Sequence, residues 1–195
     1  MDFSKKELRK QIKLSLIEHS EELEKWSNEI CDKIISSEIY KNADTMLTYM
    51  PLCDEVNVLP INKKSEDDGK SIFIPRIDFE KGLNCMNFYR FSTRMKTKSG
   101  HFGIQEPLTD CKLFKIDETM KDILILVPGR AFTKDGKRLG RGKAYYDIFL
   151  SKILDNKFVL NKKCRVHFTG VCFPIQIMEN IPTDEHDILM DFIFF

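Results

Sequence analysis

Asp122-Ile123-Leu124-Ile125-Leu126-Val127 is a continuous apolar run that opens directly onto Pro128-Gly129-Arg130-Ala131-Phe132-Thr133-Lys134-Asp135-Gly136-Lys137-Arg138-Leu139-Gly140-Arg141-Gly142-Lys143-Ala144-Tyr145-Tyr146-Asp147. A strand that is apolar at every position, rather than at alternate ones, belongs in a parallel sheet covered on both faces. The segment after it therefore leaves the carboxyl end of a buried strand, where open α/β sheets collect their ligands. Tyr145, Ile148, Phe149 and Leu154 recur at helical spacing, so Ala144–Leu154 reads as a helix. The glycines at 129, 136, 140 and 142 permit tight turns and close backbone approach. Lys137, Arg138, Arg141 and Lys143 place positive charge just before a helix whose first N–H groups favour anions. A solvent-exposed basic loop is the plain alternative. Four glycines and four cations in one strand-to-helix connection exceed what a linker requires.

Working outward, Ser4 and Glu7 fit a capping box, and Leu8, Ile12 and Leu16 continue a first amphipathic helix to about His19. Ser20 is expected to cap a second helix carrying Leu23, Trp26, Ile30 and Ile34, with Trp26 read as core. Thr45–Met50 and Ser71–Ile74 read as strands closed by Pro51 and Pro75. Leu83–Phe91, Val166–Phe173 and Ile188–Phe195 are further strands, the last expected to be buried. The polar run Asn62–Lys70 reads as a solvated loop. Strands alternating with helices indicate a three-layer α/β architecture, in a chain whose length suits one domain.

Composition narrows the function. Thirty-one lysines and arginines nearly cancel thirty aspartates and glutamates, which removes the basic surplus that duplex binding needs. The six cysteines, at 31, 53, 85, 111, 164 and 172, form no Cys-x-x-Cys pair, so structural zinc is not expected and reduced thiols are. No apolar leader or spanning stretch is visible, so a cytoplasmic protein without membrane or nucleic-acid partners is expected. Common nucleotide templates also fail. A Walker A loop would need glycine where Lys137 stands and a hydroxyl residue where Ala144 stands, and Tyr145 occupies the third glycine position of the dinucleotide fingerprint.

The quoted segment instead resembles the signature of the 5-formyltetrahydrofolate cyclo-ligase family: Pro-Gly-x-x-Phe, a spacer, then Arg-Leu-Gly-x-Gly-x-Gly-Tyr-Tyr-Asp. Five other segments are similar in the same order. They are Lys5-x-x-Leu8-Arg9, Asp54-Glu55, Ile74-Pro75-Arg76, Phe102-Gly103-Ile104-Gln105-Glu106-Pro107, and Gln176 with Pro182 and Glu185-His186-Asp187. Two positions depart from the pattern. Arg130 replaces an apolar residue and is expected to reach phosphate or face water. Ala144 replaces the last glycine and is expected in the first turn of the helix.

The resemblance implies a single three-layer α/β/α domain over 1–195 with a largely parallel central sheet, Rossmann-like in the manner of ribose-5-phosphate isomerase and CoA-transferases. It implies an enzyme that closes 5-formyltetrahydrofolate, polyglutamylated or not, to 5,10-methenyltetrahydrofolate with consumption of ATP and with Mg2+, acting as a monomer. By resemblance, Lys5, Arg9 and the run Arg138, Leu139, Gly140, Arg141, Gly142, Lys143, Ala144, Tyr145 and Tyr146 would bind ATP. Arg141 and Lys143 would lie closest to the transferred group, with Tyr145 beside them near the formyl group. Met50, Glu55, Phe102 and Tyr145 would bind the folate, and Asp147 and Asp187 the metal. A folate- or nucleotide-binding module without turnover is the alternative; the presence of Arg141, Lys143, Asp147 and Asp187 favours the enzyme.

Overall fold

A computed structural model describes residues 4–80, 82–100, 103–108 and 110–195. Helices α1 (Lys5–Glu18), α2 (Leu23–Ser36) and α3 (Glu38–Asn42) precede strand β1 (Thr45–Leu47). Then come α4 (Leu59–Asp67), the long hairpin β2 (Ser71–Glu80) and β3 (Leu83–Phe91), and the short strands β4 (Thr97–Ser99) and β5 (Gln105–Pro107). After β6 (Asp122–Pro128), β7 (Ala131–Phe132) and β8 (Arg138–Leu139) form a small ribbon before α5 (Tyr145–Leu154), α6 (Lys157–Leu160), β9 (Arg165–Val171) and β10 (Phe192–Phe194).

The six-stranded sheet runs β10-β9-β6-β1-β2-β3 and is parallel except for the β2–β3 pair. Side chains of β6 alternate between the two faces. Leu124 and Leu126 join the core that holds Leu8, Ile12 and Leu16 of α1 and Ile30 and Ile34 of α2. Ile123, Ile125 and Val127 join Phe149, Leu150 and Ile153 of α5 on the other face. Both faces are thus covered, which explains the unbroken apolar run. The result is a Rossmann-like three-layer α/β/α arrangement. From β1 the chain first moves outward to β2 and later returns to β1's other flank with β6. That reversal makes the carboxyl ends of β1 and β6 the switch point where such sheets bind ligands.

The Ser4–Glu7 capping box forms as expected, but several sequence expectations are corrected. Ser20 caps nothing: residues 19–22 are turns and α2 begins after Glu22. β1 stops at Leu47, three residues before Met50. Pro75 does not end β2, which continues to Glu80. Phe73 accepts a backbone hydrogen bond from Thr48 on the β1 side, so by alternation the missing N–H of Pro75 also points to that side. β1 has already ended there, and the ladder loses nothing.

The Asn62–Lys70 run is not a loop, because most of it lies in α4. Its buried face carries Asn62 and Ser65 beside Ile61, so polar residues at inward positions erase the apolar period. The lysines of this run are occupied, Lys63 with Asp67, Lys64 with Asp68, and Lys70 with the Ala43 carbonyl. The final strand is a half-exposed edge rather than a buried one. Among the described residues no disulfide joins any of the six cysteines. Among the described residues, no helix is long and apolar enough to cross a membrane.

Candidate active site

A cavity of about 480 Å3 lies over the carboxyl ends of β1 and β6. Lys5 and Arg9 reach it from α1, Met50 and Glu55 from the turn after β1, Arg138 to Asp147 from the glycine loop, and Asp187 from the turn before β10. Every site residue expected from the sequence lines it except Phe102, which lies outside the described residues; nearby Ile104 lines the wall. The opposite wall is Pro75, Arg76, Ile77 and Met86 of the β2–β3 hairpin.

The glycine loop is held by close contacts. A Cβ on Gly129 would stand 2.6 Å from the Phe132 ring, so only glycine lets β6 turn into the ribbon. Gly142 has a φ of 95°, in the left-handed region that favours glycine. Ala144 also lies there, with a φ of 54°, and it is the N-cap of α5 rather than part of its first turn. This conformation costs an L-residue roughly 1 kcal/mol. The loop's last glycine position therefore demands left-handed backbone, and alanine meets that demand under strain. Among the described residues no side chain caps α5, so its first-turn N–H groups lie beside the cavity without a capping acceptor there.

Charged groups in the cavity are paired across chain segments. Arg138 is buried and donates from Nη2 to Asp147 Oδ1 at 2.8 Å. Arg138 Nε and the Tyr146 hydroxyl are buried with no hydrogen-bond partner among the described residues. Burial pushes the Tyr146 phenol far above its ordinary range, with the Glu55 charge adding to the effect. Lys5 Nζ sits 2.9 Å from Asp187 Oδ2 and 2.7 Å from Asp184 Oδ2. Burial would raise the Asp187 carboxyl, but the Asp184 backbone N–H, Lys5 and Arg138 outweigh it and hold Asp187 below its usual value. Arg138 is thus bonded to Asp147 and felt electrostatically by Asp187. Arg9 Nε donates to the Gly140 carbonyl at 2.8 Å, tying α1 to the loop.

Arg141 lies across the mouth. Its Nε and Nη2 donate to Glu55 Oε1 at 3.0 and 2.8 Å, and Nη2 also bonds Asp54. Arg130 neither faces water nor reaches the cavity: its Nη1 holds Asp54 Oδ2 at 2.6 Å, with the side chain 13% exposed. Lys143, in contrast, is exposed and forms no ion pair among the described residues. His186 is exposed and faces Glu185.

Sequence reasoning assigned no role to Arg76, Glu106 or Asp184. The first two lie inside motifs already quoted, so position within a matched segment was an available signal. Asp184 carried none, since its role comes from a contact with Lys5 across 179 residues.

An open α/β sheet with cations and carboxylates converging on one cavity at its switch point is the arrangement of an α/β enzyme's active site. A model of the 5-formyltetrahydrofolate cyclo-ligase family matches residues 2–195, and the chain belongs to that family. It is similar to 5-formyltetrahydrofolate cyclo-ligase of Mus musculus, at 31% identity over 165 residues, covering 83% of this chain and 78% of the relative. A probable 5-formyltetrahydrofolate cyclo-ligase of Caenorhabditis elegans is 32% identical over 191 residues, 96% of this chain and 90% of the relative. The solution structure of Aquifex aeolicus 5,10-methenyltetrahydrofolate synthetase superposes with a TM-score of 0.74 at 28% identity, covering 97% of this chain and 88% of that one.

Proposed function

We propose that this cavity closes 5-formyltetrahydrofolate to 5,10-methenyltetrahydrofolate with ATP as phosphoryl donor. The observation that carries the reading is the convergence of Lys5, Arg9, Arg138, Arg141, Asp147 and Asp187 from distant segments on one cavity. The chemistry explains why such a set is needed. A formamide oxygen leaves poorly, so it first attacks the γ-phosphorus, and the bond to the ADP oxygen breaks. Nitrogen N10 then adds to the activated formyl carbon and gives up its proton. Phosphate departs with the formyl oxygen, leaving the methenyl bridge.

Lys5, Arg9, Arg138 and the first-turn N–H groups of α5 hold the triphosphate, while Arg141 and Lys143 disperse charge on the moving phosphoryl group. Tyr145, with Met50 and Glu55, binds and orients the folate, Glu55 accepting from its ring N–H groups. Asp147 and Asp187 offer carboxylate oxygen donors, which fits Mg2+. Two carboxylates suit an ion that completes its shell with phosphate oxygens and water. The ion supplies charge neutralisation between phosphates when bound.

Purified protein is mixed with ATP, Mg2+ and 5-formyltetrahydrofolate, and the methenyl chromophore is followed. Chromophore growth matched by ADP release is expected. Folded protein that binds both substrates without forming chromophore overturns the reading in favour of a binding module.

A further inference from the structure

Glu55 and Arg141 have conflicting duties. Both line the cavity, and both are engaged with each other. Glu55 Oε1 accepts two donors from Arg141, and its Oε2 accepts the Leu52 backbone N–H at 3.1 Å. A carboxylate so occupied cannot take the donor edge of a flat heterocycle until it releases the guanidinium. Arg141 gives its Nε and Nη2 donors to two carboxylates, which leaves only Nη1 for phosphate and holds the guanidinium beside Glu55 and Asp54. Asp54 and Arg130 lie outside the cavity lining yet complete the arrangement: Arg130 takes one Asp54 oxygen and Arg141 the other. Both partners of Asp54 hold its carboxyl below the usual range, against the upward push of burial.

We infer that Arg141 is a substrate-gated cation, held by Asp54 and Glu55 away from the phosphate path until the folate takes Glu55, with Arg130 and Asp54 as its positioning residues. The inference rests on the active-site reading above. It gives the pairing a purpose: the transferring phosphoryl group lacks its cation until an acceptor is present, so water is a poor competitor. Arg130 tunes the hold. By neutralising one Asp54 oxygen it weakens the attraction between Asp54 and Arg141, so its loss tightens the grip and loss of Asp54 loosens it.

The test measures affinity for the β,γ-imido analogue of ATP with Mg2+, with and without saturating 5-formyltetrahydrofolate. Wild-type protein should bind the analogue about tenfold more tightly with folate present, and by reciprocity the analogue should tighten folate equally. Without folate, Asp54→Asn should bind the analogue severalfold more tightly and Arg130→Leu severalfold more weakly. Plain long-range charge would give the same signs, so both substitutions are repeated on Arg141→Met. There they should lose their effect, as a double-mutant cycle through Arg141 requires. Equal shifts with and without Arg141, shifts of the same sign in both variants, or wild-type affinity indifferent to folate overturns the inference. If Asp54→Asn does not fold, Arg130→Leu decides alone by the same cycle. Methenyl formation by wild type under these conditions keeps the two readings separate, since closure with folate-independent analogue binding sinks only the gate.

Discussion

Two largely buried arginine–aspartate pairs in this protein have opposite surroundings. In the β2–β3 hairpin, Arg76 Nε bonds Asp78 at 2.7 Å, its Nη1 bonds the Leu108 carbonyl, and its guanidinium lies 3.7 Å from the centre of the Tyr89 ring. Asp78 also accepts from Asn87 and from the Tyr89 hydroxyl. That network is closed on itself. In the glycine loop Arg138 bonds Asp147 at the same sort of distance, yet Arg138 Nε and the Tyr146 hydroxyl beside it have no partner among the described residues. A buried polar group left unsatisfied costs about 1–3 kcal/mol, and the loop carries two. On the proposed function, the difference separates a pair that braces a wall from a pair that awaits a ligand.

The comparison is most severely tested at the pairs themselves. Arg138→Met should lower turnover by more than about 100-fold, as loss of charge stabilisation at phosphoryl transfer does, and cost about 3 kcal/mol by leaving Asp147 unpaired. Asp78→Asn should cost a similar ~3 kcal/mol while changing turnover far less. Urea midpoints and steady-state kinetics on both variants check this; a hairpin variant as inactive as the loop variant removes the distinction.

The tyrosines should diverge in sign. Tyr146→Phe deletes a hydroxyl with no partner among the described residues, so stability should hold or rise by about 1 kcal/mol, while Mg–ATP affinity falls. Tyr89→Phe should lose about 2 kcal/mol, the worth of a hydrogen bond to a charged group, and bind Mg–ATP normally. Thermal unfolding and calorimetric titration measure the two effects, and a destabilised Tyr146→Phe contradicts the assignment.

Ala144→Gly relieves left-handed backbone and should stabilise the protein by roughly 1 kcal/mol, read as a higher Tm. The acid limb gives the smallest effect. The hydrogen bonds of Tyr89 and Asn87 and the bond to Arg76 hold the Asp78 carboxyl below 3.8 despite burial, which acts the other way. Its contribution is therefore complete above that value and is lost as pH falls through the depressed one. Unfolding measured from pH 5 to 2 should show a steeper loss in wild type than in Asp78→Asn.

Much of this was readable in the chain. Asp122–Val127 alone implied a doubly covered parallel strand, because burial on both faces removes alternation. The loop's glycines and cations marked the side on which the cavity lies. What escaped was tertiary in origin. Pro75 looked terminal because a lone strand gives no sign that its neighbour has already ended. The helix Leu59–Asp67 was hidden because Asn62 and Ser65 take inward positions. Arg130 seemed free because its partner lies 76 residues away. At Ala144 the left-handed φ was set by the loop, against alanine's own preference for the helix.

Pro75 has one more consequence. Beyond it, among the described residues, β2 has no ladder partner on the flank facing the space that β1 vacates, a place where a stray strand from another molecule could add. The first outward position there has no donor, because it is proline. The next, the Ile77 N–H, is taken by Glu106 Oε1 at 3.3 Å. A hairpin wall bordering an open cavity is thereby made a poor template for intermolecular strand pairing.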